Sequence, residues 1–189
     1  VSSRNVPAGI EAGVIPHDEI KIILSETSVE GVVSKLAKYD YGVILMKYLD
    51  DYQKTGDLGP MMSAIHEAYY QKLLESLKFF QGDEGVIREL IRAEIDKKNI
   101  LNLLKAKESN VDKEILSKHL IDIGRIPAKE LLDIYETKDV VEIVGRIESY
   151  YKLNEALEQY KTENSLIIFE IELTKLINTN YVKKLRNIA

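Results

Sequence analysis

The chain has 189 residues, 45% of them hydrophobic and 30% charged, with 26 basic groups against 31 acidic ones. That apolar share is too high for a disordered chain, while ten glycines and four prolines are too few for the closely spaced turns of a β-sandwich or barrel. The lack of cysteine excludes a disulfide scaffold, a thiolate zinc site, an iron–sulfur cluster and a cysteine nucleophile, and it fits a reducing compartment.

In chain order, Pro16 stands where proline is tolerated, at the first turn of a helix, and Asp18 and Glu19 meet the positive end of its dipole, which predicts a helix over 17–25. Ser28 is a candidate N-cap for a second helix over 28–37, whose Val29, Val32, Val33 and Leu36 share one face. Tyr41 to Lys54 reads as a third helix closed by Gly56. Pro60 starts a long helix to about residue 80, Gln81-Gly82-Asp83-Glu84-Gly85 makes a turn, and a further long helix covers about 84–107. No stretch alternates at period two for long enough to predict a strand.

The chain also resembles itself. Gly13 to Leu36 aligns without a gap to Gly124 to Ile147 at an offset of 111, with seven of 24 positions identical, including Gly13/Gly124, Ile15/Ile126, Pro16/Pro127 and Glu19/Glu130. After a three-residue slip, Leu49 to Leu77 aligns to Leu157 to Leu185, and Tyr52 meets Tyr160. Asp139 replaces Ser28 as the cap of the second copy. The expected architecture is all-α, with pseudo-repeated helical units over 1–111 and 112–189. The second is incomplete by about 30 residues equivalent to Gly82–Val111, or about one and three-quarter repeats. On that reading the chain is a piece of a longer polypeptide.

The search for reactive motifs excludes more than it finds. His66-Glu67-Ala68-Tyr69-Tyr70 begins like a zincin helix but has Tyr70 where the second histidine belongs. Asp50-Asp51-Tyr52-Gln53-Lys54 has the look of a magnesium-binding aspartate box, yet it closes on Lys54, and its repeat counterpart reads Glu158-Gln159-Tyr160. Neither Gly56-Asp57-Leu58-Gly59 nor Gly82-Asp83-Glu84-Gly85 continues as a phosphate loop. His17, His66 and His119 have no triad pattern around them. Basic residues are dispersed, with only Lys97-Lys98 and Lys183-Lys184 adjacent, so nucleic acid is not an expected partner. No apolar run reaches the ~20 residues of a membrane span. No metal, cofactor or catalytic residue is expected.

The polar residues that ask for an explanation lie on the long helix over Leu90 to Lys107. Arg88, Arg92, Asp96 and Asn99 fall along one side of it, and Glu94 and Lys98 stand among Ile87, Leu90, Ile91 and Leu101 on another. The stripe reads either as a solvated face, with Glu94 paired to Lys98, or as a surface that docks a partner. The candidate docking surface is therefore Arg88, Arg92, Asp96 and Asn99. Eleven tyrosines without a tryptophan suit helix surfaces packed between repeats.

Two segments, AEIDKKNILNLLKAK at Ala93–Lys107 and FEIELTKLINTNYVKKL at Phe169–Leu185, follow the Gly-x-Ile-Pro units, and together they resemble the C subunit of archaeal-type (A/V-type) ATP synthases. That protein is similar to the d subunit of vacuolar proton pumps (V-type ATPases). The family pattern is met by Glu94, Asp96, Asn99, Ile100 and Leu103-Leu104, and YLDDYQKTGDL fits the family's linker between helices. The second copy departs from it at Thr174 and Asn178, where an acid and an aromatic are usual. The resemblance implies three related helical units arranged as a funnel. It also implies a non-catalytic rotor part on the cytoplasmic face of the membrane, seated on the proteolipid ring and receiving the central shaft formed by the D and F subunits. Such an adaptor, peripheral and without direct nucleotide binding, couples ATP chemistry to ion transport by rigid docking. A general helical-repeat scaffold that binds another protein is the alternative.

Overall fold

A computed structural model describes residues 14–77 and 84–186. Among these residues the chain forms helices and turns and no strand, the expected all-α class. Gly13 and the turn expected at Gln81-Gly82-Asp83 lie outside the described residues. The chain divides into two compact units, Val1–Met61 and Met62–Ala189.

The first unit contains α1 (His17–Leu24), α2 (Val29–Leu36), α3 (Asp40–Met46) and α4 (Leu49–Thr55), and α5 (Gly59–Ser76) begins within it. Pro16 is extended at φ −58° and ψ 145° and leads directly into α1, whose first turn carries Asp18 and Glu19. Ser28 caps α2 as expected, its Oγ accepting the Gly31 N–H at 3.0 Å. The helix expected over Tyr41–Lys54 is instead two helices. The Lys47 and Tyr48 N–H groups bond three residues back, to Ile44 and Leu45, and Tyr48, which precedes α4, stands at φ −107° and ψ 0°. No glycine or proline marks that break. Gly56 does end α4, in the left-handed region at φ 70°, with its N–H on Tyr52 O at 2.7 Å.

The second unit contains most of α5, then α6 (Glu84–Glu108), α7 (Lys113–Ser117), α8 (Ala128–Tyr135), α9 (Val140–Ile147), α10 (Asn154–Glu163) and α11 (Ile167–Ile177). A π-helical turn, Asn178–Val182, joins α11 to the short α12 (Lys183–Arg186). Helix α6 is the axis of this unit, with α8, α9 and α11 packed on it. Its Ile100, Leu103 and Leu104 are fully buried with Leu131, Ile143 and Phe169 from those neighbours. A smaller cluster of Leu77, Ile91, Ile95 and Ile121 joins the end of α5 to α6. Each fully buried Leu, Ile or Phe contributes ~1.5–3 kcal/mol, so this axis dominates the unit's stability.

Local structure recurs at the offsets seen in the sequence. Helices α1 and α8, and α2 and α9, have equal lengths and begin 111 residues apart. Asp139 caps α9 by accepting the Glu142 N–H at 3.0 Å, as Ser28 caps α2. Tyr39 donates to Glu19, and Tyr150 donates to Glu130 at 2.9 Å, the same pair of positions 111 residues on. Gly56 and Asn164, both left-handed helix ends, are 108 apart, which is the three-residue slip. The division by packing falls elsewhere than the division by likeness, because α6 belongs by sequence to the first unit, over 1–111, but is buried by helices of the second copy.

Candidate functional site

The long helix α6 brings its polar residues to different environments. Arg88 and Arg92 remain partly exposed, and an Arg92 Nη lies 3.7 Å from Glu89 Oε1, one turn back. Asp96 and Asn99 are fully buried. The four residues therefore do not share one exposed face, which corrects the docking stripe expected from their spacing. The physical reason is that α6 is covered on several sides, so a row that would be solvated on a surface helix here runs beneath the segment 120–126.

Both buried groups are satisfied by backbone in that segment. Asp96 Oδ1 accepts the N–H groups of Arg125 at 2.9 Å and Ile126 at 3.1 Å, and its Oδ2 accepts the Tyr151 hydroxyl at 2.8 Å. Asn99 closes a ring with Ile121, its Nδ2 donating to Ile121 O at 2.8 Å and its Oδ1 accepting Ile121 N–H at 3.0 Å. A buried amide that both donates and accepts to one residue fixes that residue's register, and unmet buried polar groups cost ~1–3 kcal/mol each. Asp96 and Asn99 thus hold the chain where it enters α8.

The carboxylate is tuned by opposed effects. Burial pushes the Asp96 carboxyl above its ordinary range, and the donors from Ile126, Tyr151 and Arg125 pull it back. Burial and the neighbouring carboxylate hold the Tyr151 phenol far above its usual range, so it remains a donor at every physiological pH. Around this centre Arg125 donates to the Tyr181 hydroxyl at 3.2 Å and lies 3.6 Å from Glu89 Oε2, with its guanidinium over the Tyr151 ring. Spacing along α6 did not reveal Gly124, Arg125, Tyr151 or Tyr181. The legible signal was the Gly-x-Ile-Pro unit itself, whose glycine and isoleucine both touch Asp96.

The other acid singled out, Glu94, pairs with Lys97 at 2.6 Å and not with Lys98. Lys98 Nζ lies 2.5 Å from His66 Nδ1, and burial lowers the pKa of its ammonium. Among the described residues, no group of three or more His, Asp or Glu side chains is placed to hold a metal ion. The arrangement around Asp96 binds backbone to helix and offers no free nucleophile or acid–base pair.

Residues 4–188 match a family model described as ATP synthase (C/AC39) subunit. The chain is similar to proteins named as the C subunit of A-type ATP synthases. With that of Thermoplasma volcanium it shares 34% identity over 182 residues, 96% of this chain and 51% of the relative. With that of Thermoplasma acidophilum the figures are 32%, 96% and 51%, and with that of Haloquadratum walsbyi they are 30% over 164 residues, 85% and 47%. The chain thus spans about half the length of the curated relatives it matches. No solved structure matches it.

Proposed function

The chain belongs to the ATP synthase (C/AC39) subunit family, and on that premise we propose that it acts as a non-catalytic adaptor in the central rotor of an A-type ATP synthase. In this reading it links the central shaft, made by the D and F subunits, to the membrane proteolipid ring and sits peripherally on the cytoplasmic face. The observation that carries the proposal is the family match along nearly the whole chain. Two structural features support it. Among the described residues no helix is long and apolar enough to cross a membrane, which agrees with a part that meets the ring from outside the bilayer. Asp96 and Asn99 of α6, two of the residues considered for docking, are spent on clamping backbone, as a body that transmits torque requires.

Residues 1–111 and 112–189 are proposed as two copies of one helical unit, on the strength of the recurring caps and Tyr–Glu bonds. Of the four residues first considered for docking, Arg88 and Arg92 keep groups that reach solvent, and the docking role is proposed for them. The test is affinity capture of the full-length protein from source-cell membranes. Recovery of the shaft proteins and the proteolipid together supports the adaptor role. Recovery of neither, with the other parts of the synthase present, refutes it.

A further inference from the structure

The two copies of the α1–α2 pair have the same sequence pattern and different degrees of cover. In the second unit, Leu131, Ile143 and Ile147 are fully buried, and Tyr135 and Val140 are nearly so, because α6 lies across α8 and α9. Their counterparts 111 residues earlier are Ile20, Val32, Leu36, Leu24 and Val29. The first three and Val29 are only half-buried, and Leu24 is 56% exposed against 7% for Tyr135. Val33, between them on α2, is buried like its counterpart Val144, and on the far side of α1 the contrast disappears. Ile22, on the opposite side of α1, corresponds to the exposed Asp133 and is exposed itself. The first unit therefore carries a face whose twin in the same molecule is filled by one long helix.

We propose that this face of α1 and α2 is a docking cradle for an amphipathic α-helix of the α6 type. That helix bears an aliphatic ridge at three- and four-residue spacing and a carboxylate near its middle. The ridge would cover Ile20, Leu24, Val32 and Leu36 as Ile100, Leu103 and Leu104 of α6 cover their counterparts. The carboxylate would accept from Val14 and Ile15, which correspond to Arg125 and Ile126, the two residues that donate to Asp96. A folded second copy of this chain does not fit the role, because its own α6 is already buried. The relatives that the chain matches are about twice its length, so their polypeptides have room for such a helix. This inference does not depend on the rotor reading and is tested without shaft or ring.

The probe is a synthetic peptide of the α6 sequence, Glu84–Glu108, titrated into the 189-residue chain. The chain has no cysteine, so a fluorophore on Ser25→Cys, beside Leu24, reports docking without altering the face. The expected result is saturable one-to-one binding with a change in that fluorescence. Leu24→Asp, which puts a charge into the cradle, should weaken binding by about tenfold or more, whereas Ile22→Asp should leave it within about twofold. Both positions are more than half exposed, so each variant should fold, which circular dichroism checks. If Leu24→Asp does not fold, the label on the native face decides alone. Absence of saturation, equal binding by the two variants, or a chain dimer that excludes the peptide would each overturn the proposal.

Discussion

Gly124 lies so close to Asp96 that a β-carbon on it would stand 2.3 Å from Asp96 Oδ1. That carboxylate has no freedom to yield, since three donors already hold it. Gly124→Ala should therefore lower stability by ~1–3 kcal/mol, as overpacking of a rigid site does. Gly145→Ala, in α9 with open space around it, should leave stability unchanged or raise it by ~0.5–1 kcal/mol. Urea denaturation of the two variants makes the comparison. Equal effects would show that the contact at Gly124 is not the cause.

The buried carboxyl gives a pH signature with a definite sign. Because the folded pKa of Asp96 is raised, the folded state holds the proton to higher pH than the unfolded state. Its contribution to stability is thus fully present below the ordinary aspartate value of about 3.9 and is lost as pH rises through the folded pKa. Asp96→Asn cannot titrate. The stability of the wild type relative to this variant should fall as pH goes from about 3.5 to 7. A difference that grows with pH would reverse the assignment.

Asn99→Ala leaves the Ile121 N–H and carbonyl without their buried partner, at a cost of ~2–4 kcal/mol for the pair. Hydrogen exchange should show loss of protection at the Ile121 amide. By contrast, Arg88→Ala together with Arg92→Ala should shift stability by only ~0–1 kcal/mol, the usual range for partly exposed charges. If the arginine pair proves the more costly, the buried clamp is not what holds the segment.

Gly42 is a second position where space decides the residue. A β-carbon there would lie 2.2 Å from Leu36 O and 2.4 Å from Ala37 N, atoms of the backbone that follows α2. Gly42→Ala should separate α3 from α2 and destabilise the first unit by ~2 kcal/mol or more, since backbone cannot rotate aside as a side chain can. Selective loss of protection in 17–46, with α6 still protected, is the expected exchange pattern.

What could be read from the sequence followed from local rules. Helices α1, α2, α8 and α9 announced themselves because each begins at a proline or a hydrogen-bonding cap and repeats its apolar residues on one face. The division of Tyr41–Lys54 at Lys47-Tyr48 was not legible, because both residues are ordinary in a helix and neither a proline, a glycine nor a side-chain cap marks the break. The fate of Asp96 was hidden for a different reason. A charged residue on a helix reads as solvated, and the partners that make its burial tolerable, Arg125, Ile126 and Tyr151, stand 29, 30 and 55 residues away. Chain topology alone brings them together.

The π-helical turn at Asn178–Val182 changes the rotational phase of the chain after α11. Up to Ile177, the helix directs Phe169, Leu173 and Ile177 into the core around α6. Beyond it, Tyr181 is also buried and receives the Arg125 guanidinium. A wide turn accommodates about one residue more than an α-turn, and one residue corresponds to about 100° of rotation. Regular α pitch with the same number of residues would therefore swing Tyr181 away from Arg125, whereas removing a single residue from Asn178–Asn180 would let an ordinary α-turn close with the chain beyond it at nearly the same rotation. In this segment the width of the turn decides which side chain reaches the arginine, so tightening it to regular pitch without changing the residue count should do more harm than deleting one residue.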